Sequence, residues 1–194
     1  MSYGQSAKKI LIFCVNPKNT NHLRLDQEIR EIKEVLQKAT NRDKFAPPEI
    51  CPAVRTKDIQ EKILTHKPQI IHFCGHGAGK DGLIFEDNEG QAKPVSTQAL
   101  AKLFSLCASY VECVVLNACY SIAQAQGIAE HIGYVVAMRQ ELGDEAAIEY
   151  SRGFYLALAS GEAYDIAHEY GRNAIQIEGL AEEDTPIIKK KDLV

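Results

Sequence analysis

The sequence holds no surplus of positive charge: 22 lysines and arginines face 26 aspartates and glutamates, a net charge of −4. A chain that grips nucleic acid through its phosphates carries the opposite balance, so no nucleic-acid partner is expected. Long apolar runs are missing too. The longest, residues 10–15 and 154–159, have six residues each, against the roughly 18 that a membrane helix needs. No membrane association is expected. The opening MSYGQSAKK has no apolar segment behind its charges, so no secretory signal is read there. None of the six cysteines forms a CxxC pair. Without a signal peptide they read as reduced thiols of a cytoplasmic protein rather than as a disulfide framework. The 13 glycines and 7 prolines are too few for a collagenous or low-complexity chain.

What is present is a globular balance. Hydrophobic residues make up 45% and charged residues 25% of 194, enough to build a core without metal or disulfide staples. No internal repeat and no Pro-, Gly- or Ser-rich linker divides the chain. The expectation is one domain over residues 1–194, with a short flexible start over about 1–8 and a solvated basic tail over about 189–194.

Residues 9–15 (KILIFCV), 69–74 (QIIHFC), 111–116 (VECVVL) and 134–138 (YVVAM) are short continuous apolar runs. Such runs suit strands buried on both faces, as in a parallel sheet. Residues 50–54 are a weaker strand, residues 83–86 and 91–95 flank Asp-Asn-Glu-Gly as a small hairpin, and 186–188 are an edge strand. Leu25, Ile29, Ile32, Leu36 and Ala39 recur on one helical face, capped by Asn21 or Thr20. Further helices are read at 58–65, around Leu100–Cys107 with Ser96 or Thr97 as cap, and at 122–131 and 145–159. The last is read at 162–178, with Ala163, Ile166, Ala167, Tyr170, Ala174 and Ile177 on its inner face. Strands alternating with helices predict an α/β fold, a three-layer sandwich around a mostly parallel sheet.

In such a sheet, chemistry collects beyond the carboxyl ends of the strands. The second strong strand runs into Gly75-His76-Gly77, and the third into Asn117-Ala118-Cys119-Tyr120-Ser121. If those two strands are neighbours, about 4.8 Å apart, the imidazole and the thiol can meet. A thiol at neutral pH is only a few per cent thiolate, and a nearby imidazole takes its proton. Cys119 also precedes the helix read at 122–131, whose positive end favours thiolate. Glycines beside His76 leave backbone N–H groups bare, and the N–H groups of Gly77 and Cys119 are candidates for an oxyanion hole. A nucleotide site is not supported, because the first strand is followed by Asn-Pro-Lys-Asn-Thr without phosphate-binding glycines.

The segments IIHFCGHG (70–77) and VVLNACYS (114–121) resemble the His and Cys motifs of CHAT-domain proteins, caspase-like peptidases related to separase. Residues 16–32 and 138–158 resemble the flanking parts of bacterial CHAT domains. The resemblance implies a caspase–haemoglobinase fold and a cysteine endopeptidase needing no cofactor, with His76 as general base and Cys119 as nucleophile. It implies a protein or peptide substrate, and a regulatory partner protein or fused adaptor domain. Asp144 lies where separase-like members place an acid in the pocket for the substrate side chain before the cut, which favours a basic side chain there. The tryptophan that many relatives carry near residues 138–140 is missing.

Three alternatives stay open. Asp144 also fits as the N-cap of a helix beginning at Glu145. The fold also suits a latent or non-catalytic interaction module. And His72, Cys74 and His76 fall at i, i+2 and i+4 of an extended segment, where with Cys119 they offer a zinc set. Otherwise His72 and Cys74 belong to the packed strand, Cys14, Cys51, Cys107 and Cys113 to the core, and Asn117 to the strand end, satisfying backbone groups. His22, His66, His131 and His168 read as solvated.

Overall fold

The computed structural model describes residues 7–191. Six strands form one sheet: β1 (Ile10–Cys14), β2 (Glu49–Pro52), β3 (Ile70–Cys74), β6 (Cys113–Asn117), β7 (Tyr134–Met138) and β8 (Pro186–Lys190), in the order β2-β1-β3-β6-β7-β8. Five of them run parallel, and β8 closes one edge antiparallel to β7. β4 (Leu83–Glu86) and β5 (Ala92–Val95) make a separate antiparallel hairpin.

The central strands are buried along their whole length because helices cover both faces. Alternate residues go to opposite sides. Leu11, Phe13, Ile71, Phe73, Val114 and Leu116 pack under α2 (Asp58–His66), α3 (Thr97–Cys107) and α4 (Ile122–Ala129). Ile10, Ile12, Ile70, Cys113 and Val115 pack under α1 (Leu25–Lys38), α5 (Asp144–Ser160) and α6 (Tyr164–Ile177). Each aliphatic side chain so enclosed contributes about 1.5–3 kcal/mol. All six cysteines are free, and all but Cys119 are buried. No helix among the described residues is long and apolar enough to cross a membrane.

Several expectations meet a different arrangement. The caps expected at Asn21 or Thr20 do not form: α1 starts at Leu25 without a side-chain cap, and the loop before it is clasped by Asn16, whose Oδ1 accepts from Leu23 N–H at 3.3 Å. Ser96 does cap α3, accepting from Ala99 N–H. α6 is rotated from its expected face. Ala167 and Ala174 point inward as read, but Ile166, Tyr170 and Ile177 are exposed. The reason is a close crossing with α5. A Cβ on Gly153 would lie 2.7 Å from the Tyr170 carbonyl oxygen, and one on Gly171 would lie 2.7 Å from the Tyr150 ring. Small residues, not the large apolar ones, mark the contact.

His168, expected in solvent, is buried 2.8 Å from the Tyr150 hydroxyl. Burial pushes its pKa down to about 4, with Glu169 opposing that shift. Parts of the expected flexible start and basic tail are ordered. Lys8 bridges to Phe45, and Lys189 and Lys190 pair with Val135 and Tyr134. The remainder of those segments, residues 1–6 and 192–194, lies outside the described residues.

Two outcomes follow from this packing. Gly153→Ala lowers the free energy of urea unfolding by about 1–3 kcal/mol through overpacking, although alanine is intrinsically the better helix former by about 1 kcal/mol. Unchanged or higher stability contradicts the close crossing. His168 is neutral when folded and, at an ordinary value of 6.5, half-charged when unfolded. Its stabilisation is therefore complete above pH 6.5 and lost as pH falls from 6.5 towards 4, roughly 3 kcal/mol in all. His168→Gln cannot charge, so it should lose less stability over that interval than the natural chain; equal losses remove this account.

Candidate active site

β3 and β6 are direct neighbours, and Cys74 pairs with Asn117. His76 and Cys119 each stand two residues further on, so both leave the sheet at one height, on one edge. Both line a single cavity of about 50 Å³, together with Leu23, Met138, Leu142 and Ile148. Each is half-buried.

The loop after β3 is held by the hairpin and by α4. Ile84 N–H donates to the His76 carbonyl at 3.0 Å, and Ala78 N–H to the Gly82 carbonyl at 2.9 Å. The Gln124 amide donates to the Gly79 carbonyl at 2.7 Å and to the Thr97 hydroxyl at 3.0 Å. Gly77 must be glycine, because a Cβ there would lie 2.0 Å from the Cys119 carbonyl oxygen.

The loop after β6 turns sharply. Tyr120 takes a left-handed conformation, φ 55°, which is strained for a residue of its kind. Ser121 is buried; its hydroxyl donates to the Leu116 carbonyl at 3.2 Å and accepts from Met138 N–H at 3.0 Å. That pins the turn to β6 and β7 while Cys119 projects just ahead of α4.

Cys119 Sγ makes one hydrogen bond, to the Leu142 carbonyl at 4.0 Å. His76 Nε2 is buried and has no partner. No hydrogen bond joins the two residues. The backbone N–H groups of Gly77 and Cys119 donate to nothing among the described residues. Burial holds the His76 pKa below its ordinary value, partly offset by a hydrogen bond to the Asn21 backbone and by the charge of Asp144.

Asp144 is not the cap it fitted in sequence. α5 begins one residue earlier than expected, with Gly143 in the cap position and Asp144 in the first turn, where an acid suits the helix dipole. Its carboxylate lines the cavity and faces Arg24, Nε to Oδ2 3.7 Å.

The zinc set does not assemble. His72 and Cys74 group with Glu28, within 4.8 Å of one another, and not with His76 or Cys119. Both His72 ring nitrogens are engaged, by Tyr155 and by Glu28.

Glu28 escaped the sequence reading. It is 3% exposed, and its Oε1 accepts from His72 Nε2 at 3.0 Å, Asn117 Nδ2 at 2.6 Å and Ser151 Oγ at 2.7 Å. Asn117, expected to serve the backbone alone, also serves this carboxylate, while keeping a 3.3 Å bond to the Ala147 carbonyl. A signal existed. Position 28 falls on the same helical face as Leu25, Ile32 and Leu36, so a charge stands on an apolar stripe.

Comparison with known proteins bears on the family and the fold. The CHAT domain model matches residues 4–169. A Roc-COR-CHAT protease from an unknown prokaryotic organism is 31% identical over 175 residues, covering 87% of this chain and 16% of that protein. A probable protease from Gillisia limnaea is 29% identical over 192 residues, 97% of this chain and 34% of that protein. The chain thus spans about a third or less of the length of these relatives. Among solved structures, the Arg specific cysteine proteinase gingipain R superposes with a TM-score of 0.66 at 11% identity, over 94% of this chain and 46% of that one. Caspase-1 from Spodoptera frugiperda superposes with a TM-score of 0.64 at 9% identity, over 96% and 87%. At such identities the likeness is one of fold, and the fold is caspase-like. With the family model covering most of its length, the chain belongs to the CHAT domain family.

Proposed function

We propose that the chain, read as a single CHAT domain, is a cysteine endopeptidase in which Cys119 is the nucleophile and His76 the general base. The observation that carries this reading is the pair's position, at equal height beyond neighbouring strands and on one cavity, beside two unused N–H groups. Cys119 Sγ attacks the peptide carbonyl as its proton passes to His76 Nε2. The developing oxyanion is received by the N–H groups of Gly77 and Cys119. His76 returns the proton to the leaving amine, a thioester remains, and water taken up through His76 hydrolyses it. Asp144, on the cavity wall, favours a basic substrate side chain before the cut. The relatives' names, both proteases, support the same activity class.

A second reading, a latent module that needs a partner or fused domain, is favoured by the narrowness of the cavity and by the missing hydrogen bond between His76 and Cys119. An irreversible peptide-based thiol inhibitor separates the two. Labelling of Cys119 without any partner indicates a competent enzyme, and silence indicates latency.

Against a peptide library, Cys119→Ala and His76→Ala should abolish cleavage while the melting temperature stays near that of the natural chain; variants that still cut refute the dyad. Gly77→Ala should lower kcat/KM by about 100-fold or more, the scale of losing an oxyanion donor, because its Cβ must displace the Cys119 backbone. The pH profile carries a further outcome. Burial keeps His76 neutral to below its ordinary value of 6.5, so the acid limb of kcat/KM falls below pH 6.5. A limb at higher pH contradicts a buried base.

A further inference from the structure

A second cavity, of about 320 Å³, lies where the end of β7, α6 and the start of β8 meet, and neither His76 nor Cys119 lines it. Three cations do: Arg139 just after β7, Arg172 on α6 and Lys189 on β8. Arg172 is already fixed. Its Nε donates to the Glu183 carbonyl at 2.8 Å, and its outer nitrogens meet Glu169 at 3.1 Å and Asp184. Arg139 and Lys189 differ from it. Neither side chain has an ion pair or a hydrogen bond among the described residues. Their backbones are nevertheless held. Arg139 N–H donates to the Thr185 carbonyl at 2.9 Å, and Lys189 pairs with Val135 in the sheet.

The floor of this cavity holds a donor without an acceptor. The Tyr150 hydroxyl is fully buried, and burial holds its pKa well above the ordinary value, so it keeps its proton. Its one hydrogen-bond partner is His168 Nδ1, at 2.8 Å. The hydroxyl therefore donates to Nδ1, since a buried proton without an acceptor is costly. His168 is neutral, so its hydrogen sits on Nε2. The ring is 3% exposed and lines the cavity, with Nδ1 turned inward to Tyr150 and Nε2 on its other side. The carboxylate beside Nε2, Glu169, stands 3.9 Å away, beyond hydrogen-bond reach, and already serves Arg172. A nearly buried N–H left unpaired beside a cavity lacks the acceptor that such groups ordinarily have.

A neutral donor at the floor, a fixed guanidinium fork beside it and two unpaired cations at the surface suit an anion with several acceptor oxygens. A carboxylate offers two oxygens and one charge. A phosphoryl group offers three oxygens and a charge of about −1.5 to −2 at neutral pH. Asp184 is the one carboxylate among the lining residues, and its largely exposed side chain can leave Arg172 to such an anion. The volume equals roughly ten waters, so it also admits part of a molecule carrying the phosphoryl group. We infer that this cavity is a binding site for a phosphoryl group, either free phosphate or the monoester of a small polar molecule. The inference goes beyond the peptidase reading and does not depend on it.

The test is an NMR titration of the whole chain at constant ionic strength with inorganic phosphate, glucose 6-phosphate and acetate. Phosphate should shift the amide signals of Arg139, Arg172 and Lys189 to saturation, with acetate at least about tenfold weaker, the scale of one charged hydrogen bond. Arg139→Gln, an exposed change that the fold tolerates, should weaken phosphate binding by about tenfold or more. Lys190→Gln is the control, since Lys190 follows Lys189 on β8 but pairs with Asp165 and does not line the cavity. It should change affinity by less than about twofold, and Asp184→Asn, which removes the competing carboxylate, should tighten binding by about threefold. Shifts that never saturate overturn the inference. So do equal losses in Arg139→Gln and Lys190→Gln, which mean general attraction to a basic surface, and so does a weaker Asp184→Asn. Acetate binding as tightly as phosphate overturns the phosphoryl assignment. Tighter binding of glucose 6-phosphate than of phosphate upholds the inference with a monoester as the ligand, and the reverse order upholds it with free phosphate.

Discussion

Cys74 and Asn117 face each other across β3 and β6, and the geometry of the rim is measured from that pair. Because both strands run in one direction, equal steps beyond the pair arrive at equal heights. A slip of one residue would move Cys119 about 3.3 Å along the sheet and turn its side chain to the other face. The register is held firmly because both faces are buried. Ile71 and Phe73 enter one apolar layer and Ile70 and Cys74 the other, and a slip of one residue would exchange them. The hydrophobic pattern of the strands therefore sets the relation between an imidazole and a thiol that are far apart in the chain.

The loops beyond the strands turn that coarse placement into a site. The Ser121 hydroxyl joins the Leu116 carbonyl to Met138 N–H, the left-handed Tyr120 bends the chain, and Gly77 lets the two loops come into backbone contact. Each of these is unfavourable or demanding by itself. A buried hydroxyl needs both of its partners, a tyrosine at positive φ is strained, and glycine is the most flexible residue before folding. They coincide within a few residues of His76 and Cys119, which is where preorganised geometry is of most use.

Much of this was legible beforehand. The four strong strands, the hairpin, the edge strand and the placing of His76 and Cys119 at one rim followed from apolar runs and glycine stops, and the structure has them within a few residues. The errors have causes that lie outside hydrophobic periodicity. On α6 the large apolar residues Ile166, Tyr170 and Ile177 drew the inner face to themselves, but the close approach at Gly153 and Gly171 required small ones. His168 reads as solvated because no partner residue is signalled near it in the sequence, although the Tyr150 hydroxyl satisfies it inside. Asp144 was offset by one residue because Gly143, with no side chain to bond, takes the cap position. Periodicity reports which residues prefer burial. It does not report which polar residues have found partners, and those partners lie 18 to 123 residues away in sequence.

Glu28 is the sharpest case of that blindness, and its energetics bear on its purpose. An isolated carboxylate taken out of water is penalised by several kcal/mol even after relaxation. Three hydrogen bonds to one oxygen recover part of this, yet the second oxygen has no hydrogen-bond partner among the described residues. Were the residue there only to fix α1 over the sheet, an apolar side chain of similar volume would do so at lower cost, since buried ionic groups replaced in that way often leave proteins equally or more stable. The polar cluster around Glu28 also adjoins the cavity. His72, Asn117 and Ser151 close it from β3, β6 and α5, and the open side is the cavity that His76 and Cys119 share.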